Sequence, residues 1–225
     1  MAETALVVGT GSGLSASLAR LFAREKMRVA LAARDIGKLA PLVAETGARP
    51  FAADASEPQA VTALFAAVEA ELGAPDIVVY NPSARVRGAI TELDPPRVLR
   101  ALEVSAYGGF LVAQAAARLM LQRGSGTLLF TGASASVKGY ARSASFAMGK
   151  FALRGLAQSL ARELQPQNIH VGHVVIDGAI GSPGSTEGDR MLDPDAIALA
   201  YLALHRQQRS AWTWEIELRP WVETF

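Results

Sequence analysis

The chain predicts an α/β fold, a single doubly wound parallel sheet of about seven strands with helices on both faces. Three observations carry that expectation. Short β-branched runs alternate with longer Ala- and Leu-rich stretches, the runs are almost wholly apolar as doubly covered strands must be, and no linker or internal repeat breaks the alternation. With 225 residues, 50% of them hydrophobic, there is enough apolar surface for one sizeable core, so residues 1–225 read as one domain.

The elements follow in order. Leu6-Val7-Val8 predicts a first strand, stopped by Gly9-Thr10-Gly11-Ser12-Gly13. Leu14, Leu18, Leu21 and Phe22 recur at helical spacing and predict a helix over 15–26. Further strands are expected over 28–33, 49–53, 76–80, 126–131 and 169–176, and further helices over 35–46, 57–72, about 96–122, 146–164 and 194–204. Small residues on the 146–164 helix, among them Ala147, Gly149 and Gly155, would let a partner helix approach closely, which is compatible with a homodimer or homotetramer. The tail alternates Trp212, Trp214, Ile216 and Leu218 with polar residues, predicting a strand over 212–218 with one packed face.

Composition excludes several classes of function. Twenty-two basic against 21 acidic residues give a formal charge of +1, which makes no global case for a nucleic-acid or membrane partner. The absence of cysteine removes disulfides, thiolate nucleophiles and zinc–thiolate sites. No apolar run approaches the roughly 18–20 residues that span a bilayer. The short run 5–8, preceded by Glu3, lacks the plan of a signal peptide, so a cytoplasmic protein is expected.

The glycine cluster sits between a predicted strand and a predicted helix. Glycine there lets backbone approach a pyrophosphate, and the helix N-terminus supplies N–H donors. The second strand ends in Ala33-Arg34, where an NAD-preferring site would carry an acidic residue. Arg34 can grip a 2′-phosphate, which favours NADP(H) over NAD(H); the alternative is a solvated arginine neutralised by Asp35. Asp54 is placed either to accept from an adenine amine or to sit in the N-cap region of the helix that follows.

On these residues the chain resembles the short-chain dehydrogenase/reductase family over nearly its whole length. The family's Thr-Gly-x-x-x-Gly-x-Gly loop corresponds to Val8-Gly9-Thr10-Gly11-Ser12-Gly13-Leu14-Ser15, with Ser15 at the third glycine. Asn81 in Tyr80-Asn81-Pro82-Ser83 is the one match to Asn-Asn-Ala-Gly, and Asp177-Gly178 stands where the family has Pro-Gly. The resemblance implies a Rossmann-type domain. Its implied dinucleotide site comprises Gly9, Thr10, Gly11, Ser12, Gly13, Leu14, Arg34, Asp54, Ala55, Asn81, Lys150, Gly178, Ile180 and Ser182, the last at the position of the family's cofactor-amide threonine.

The proton-transfer end departs from the family. Its Tyr-x-x-x-Lys motif is here Phe146 and Lys150, and phenylalanine has no proton to exchange. The serine position falls on Ala133, with Ser134 and Ser136 close by, and the asparagine position on Ser105. The resemblance therefore implies an oxidoreductase of unspecified carbonyl or alcohol substrate with a non-standard proton path. Lys150, a water, or a hydroxyl from Ser134 or Ser136 can replace the phenol, or the reaction needs no acid there. The alternatives are a cofactor-binding sensor or partner subunit without turnover, and a structural dimerising domain. Tyr107 and Tyr140 are the remaining phenols that could reach the site. His170 and His173 read as core or edge histidines, no metal site is expected, and His205 with Arg206 and Arg209 reads as a solvated helix end. Trp212, Trp214 and Trp221 read as packing or oligomer contacts. The Gly/Ser/Pro-rich loop 178–190 occupies the position of a substrate lid.

Overall fold

Seven strands lie side by side in one parallel sheet: β1 (Thr4–Val8), β2 (Arg28–Ala33), β3 (Arg49–Ala52), β4 (Ile77–Tyr80), β5 (Gly126–Thr131), β6 (Ile169–Ile176) and β7 (Glu215–Leu218). Their order across the sheet is β3-β2-β1-β4-β5-β6-β7. The computed structural model describes residues 2–184 and 190–222. The central strands are largely apolar because they are buried on both sides, Ala5 and Val7 of β1 facing one core cluster while Leu6 and Val8 face the other, whereas the edge strands β3 and β7 are only partly buried. Helices α1 (Leu14–Arg24), α2 (Ala40–Thr46) and α7 (Pro194–Arg206) close the first cluster. Helices α3 (Pro58–Leu72), α5 (Gly108–Arg123) and α6 (Ala144–Leu164) close the second. Leu18 and Phe22 of α1 are fully buried, and each such side chain contributes about 1.5–3 kcal/mol of transfer free energy.

The expected long helix is present but not uniform. Helix α4 (Pro95–Leu102) passes through a π-helical segment, Glu103–Tyr107, into α5. The widened turn is held by the buried Tyr80 hydroxyl, which donates to the Val104 carbonyl. By length and composition alone this 29-residue helix could cross a bilayer, contrary to the expectation from apolar runs. In the fold its Leu111, Val112, Ala116 and Met120 pack in the second core cluster.

Three local readings are corrected. Residues 35–46 are not one helix: Ile36–Leu39 is a 3-10 turn capped by Asp35, and α2 restarts with Pro41 in its first turn. The tail strand begins at Glu215, because Trp212 leaves the alternation to stack on His170 at 4.8 Å between ring centroids. His205 is not solvated. Its side chain is buried between Thr127 Oγ1 at 2.9 Å and Glu3 Oε1 at 3.3 Å, while Arg206 pairs with the same glutamate. His170 and His173 are core residues, as expected. Trp214 lies under the Arg154 guanidinium, whereas Trp221 is exposed.

Candidate functional site

The sheet order reverses between β1 and β4, so their C-terminal ends diverge and leave a crevice. A cavity of about 760 Å³ opens there, and Gly9, Thr10, Gly11, Ser12, Arg34, Asp54, Ala55 and Asn81 all line it. A smaller one of about 280 Å³ is lined by Leu14, Asn81, Ala133, Phe146, Lys150, Gly178 and Ile180. Asn81 and Ser83 belong to both walls, so the two form one groove. Gly13 stands at the N-cap of α1, at the same loop. Ser182 is exposed and lines neither cavity. Residues 185–189 of the expected lid lie outside the described residues.

The loop is shaped by two kinds of glycine. Gly9 has φ +81°, and a Cβ there would lie 2.6 Å from the Pro82 ring, so the fold itself demands glycine. Gly11 and Gly13 face open space, where a Cβ would meet no protein atom within 4 Å. The fold does not require those two, but a phosphate seated over the loop would. That cradle, at the head of α1, fits a dinucleotide. Ser15 replaces the third glycine usefully: its hydroxyl donates to the Gly9 carbonyl and accepts from Asn81 Nδ2 at 2.7 Å, tying the β1 and β4 loops together.

At the adenosine end, Asp35 does not neutralise Arg34. Its carboxylate accepts from Gly37 N and pairs with Lys38, leaving Arg34 on the cavity wall. Asp54 is more heavily engaged than either sequence reading anticipated. One oxygen accepts from the Ser56 backbone and hydroxyl, and the other from Arg100 Nη2 at 2.6 Å. Burial works against its charge, but these donors hold the carboxyl below its usual range. Glu57, not Asp54, occupies the N-cap of α3. Arg100 sits 46 positions away on α4, a partner that no local pattern could reveal.

At the other end, α6 places Phe146 and Lys150 one turn apart on the cavity wall. Two cations approach the Phe146 ring: the Arg85 guanidinium lies over it at 3.9 Å from its centroid and Lys150 Nζ stands 5.9 Å from it. Lys150 is fully buried and donates to the Thr131 carbonyl at 2.7 Å. Burial, aided by the charge of Arg85, brings its ammonium down to about 8.

The serines are otherwise occupied. Ser134 donates to Asp177, which also holds Lys138 and lies near Arg219. Ser136 is fully buried, accepting from Ala133 N and lying 3.4 Å from His173 Nε2. His173 Nδ1 in turn meets Glu215, which Arg154 grips through two nitrogens. This chain has the order of a serine–histidine–glutamate triad, yet its hydroxyl is sealed from solvent and its imidazole is pushed by burial to about 4. It fixes the Ala133 wall from behind. Ser105, at the asparagine position, bonds both backbone groups of Ala84. Tyr140 reaches the region and lines a third cavity beyond Phe146, while Tyr107 stacks on Phe110 at the surface.

Fold and groove thus define a dinucleotide-binding α/β protein. The short chain dehydrogenase family model matches residues 3–188, and the chain belongs to that family. Among curated relatives it is 28% identical to a 3alpha-hydroxysteroid dehydrogenase of Mediterraneibacter gnavus, over 95% of this chain and 94% of the relative. Among solved structures it resembles a short-chain dehydrogenase from Rhodopseudomonas palustris, with 39% identity, TM-score 0.87, and coverage of 97% and 99% of the two chains. It also resembles a metagenomic short-chain oxidoreductase in complex with NADP, with 28% identity, TM-score 0.86 and 97% of each chain covered.

Proposed function

We infer that this chain is an NADP(H)-binding oxidoreductase that interconverts a carbonyl and an alcohol, with Lys150 moving the proton that a phenol moves elsewhere in the family. The observation that carries the reading is the pair on α6: a ring without an exchangeable proton beside a buried ammonium brought to about 8. Gly9, Thr10, Gly11, Ser12 and Gly13 would hold the diphosphate, Arg34 and Asp54 with Ala55 the adenosine half, and Leu14, Asn81, Lys150, Gly178 and Ile180 the nicotinamide half. When bound, the coenzyme supplies or accepts the hydride. Lys150 gives an N–H proton to the developing alkoxide, keeps the electron pair, and regains a proton from solvent. A positioned acid with a pKa near working pH accelerates such a step by about 10²–10⁴. The engagement of Ser134 by Asp177 and the burial of Ser136 support giving this role to Lys150.

NADP(H) over NAD(H) is supported by Arg34, left unneutralised by Asp35, and by the NADP complex of the metagenomic relative. A homodimer or homotetramer belongs to the same reading, since α5 and α6 expose Phe110, Met148 and Phe151. A second reading, cofactor binding without turnover, is favoured by the Arg85 guanidinium packed on Phe146 where the reacting phenol would stand.

The test is an NADPH fluorescence titration followed by carbonyl panels with wild type and Phe146→Tyr. We expect NADPH binding, turnover by wild type and faster turnover by Phe146→Tyr. Binding without turnover in both proteins selects the second reading, and no binding at high micromolar NADPH defeats both.

A further inference from the structure

Beyond Phe146 lies a cavity of about 630 Å³ whose wall carries Arg85, Arg87 and Arg142 together with Tyr140. None of its lining residues is acidic, and among the described residues no carboxylate pairs with any of the three arginines. The nearby Asp177 is already held by Ser134, Lys138 and Arg219. Three guanidiniums sharing one concavity repel each other, and burial together with the charge of Arg87 holds Arg85 below the usual arginine range. An anion entering there would relieve that repulsion.

The arrangement is built rather than accidental. Ser105 bonds the N–H and carbonyl of Ala84, and the fully buried Ser145 does the same for Val86. With Ala84 and Val86 anchored, Arg85 and Arg87 on either side of Val86 are exposed and line the cavity. Arg142 comes from the loop before α6 and keeps a left-handed backbone, φ +60°, which a non-glycine residue rarely adopts. Its carbonyl accepts from Gly88 N at 3.2 Å, so the two arginine-bearing loops are joined.

We propose that this cavity takes the anionic group of the substrate, a phosphate ester or a carboxylate clamped by Arg87 and Arg142, with Arg85 and Phe146 between it and the reacting carbon. Guanidinium forks suit both groups because each offers a pair of oxygens to two parallel N–H donors. The assignment rests on the oxidoreductase reading of the adjoining Lys150 site, and binding can test it apart from turnover.

The experiment is calorimetric titration of the full chain, saturated with NADPH so that Arg34 is masked, using phenyl phosphate, benzoate and neutral benzyl alcohol as probes. Both anions should bind at least about tenfold more tightly than the alcohol, with an affinity that falls as salt rises. The double variant Arg87→Gln, Arg142→Gln should lose about tenfold or more for the anions while its NADPH affinity stays within about twofold. Tighter phenyl phosphate identifies a phosphate ester, and tighter benzoate a carboxylate. The proposal falls if benzyl alcohol binds as well as the anions, if no probe binds, or if the double variant binds them unchanged. Should NADPH fail to bind, the anion titrations are run on Arg34→Ala. Anion binding lost only with Arg87 and Arg142 then keeps the clamp and sinks the oxidoreductase reading alone.

Discussion

The two ends of the groove are made of different materials. At the β1 end the contacts offered are backbone: glycines without Cβ atoms, N–H groups at the head of α1, and serine and asparagine side chains that brace the loop. At the α6 end they are individual side chains, Lys150 and Phe146, each set by one residue. A backbone cradle survives most substitutions that preserve the turn, whereas a chemical step hangs on single atoms. The difference teaches why the nucleotide end can keep its family's form while the other end departs from it at Phe146, Ala133 and Ser105.

The sharpest way to break the comparison is Gly9→Val. Forcing a β-branched residue to φ +81° against the Pro82 ring should destabilise the fold by about 3 kcal/mol or more. Chemical denaturation measures it, and an unchanged midpoint would show that the loop is looser than its contacts imply. Next comes Lys150→Met, expected to lower carbonyl reduction by about 10²–10⁴ in steady-state assays. Because only the ammonium carries the proton, wild-type reduction should decline as pH rises through about 8. Stability moves the other way. The folded pKa lies below the ordinary lysine value of 10.5, so the unfolded chain binds more protons between about 8 and 10.5, and wild type gains on Lys150→Met across that window. Flat profiles in both measurements would remove Lys150 from the proton path.

Arg34→Ala has a smaller expected effect, weakening NADPH roughly 10–100-fold while sparing NADH. Equal losses for both coenzymes in a fluorescence titration would cancel the NADP(H) assignment. Smallest is Ser182→Ala, which should alter NADPH affinity by less than about twofold because its exposed side chain lines neither cavity. A large loss would restore it to the amide site that the family resemblance implied.

What could be read along the chain was what repeats or sits close in sequence. Strand–helix alternation follows from burial of both sheet faces, and Gly9-Thr10-Gly11-Ser12-Gly13 or the Phe146–Lys150 spacing is a short-range pattern. What escaped depends on which strand ends meet. Arg100 reaches Asp54 because the long helix returns beside the β3 loop, and Arg87 meets Arg142 because the β4 and β5 loops open on the same edge. Ser136, His173 and Glu215 likewise come from the loop after β5, from β6 and from β7. The shortened β7 and the buried His205 were missed for the opposite reason: local alternation and local charge were overruled by a stacked imidazole and by Glu3 at the far end of the chain.

The contact of Pro82 with Gly9, reinforced by Asn81 and Ser15, has a kinetic meaning. The two lips between which a ligand must lie are already locked to each other, so the mouth has its final width before anything arrives. Association should then proceed as entry into a rigid slot, in a single phase proportional to ligand concentration, with no closing of the β1 and β4 lips to wait for.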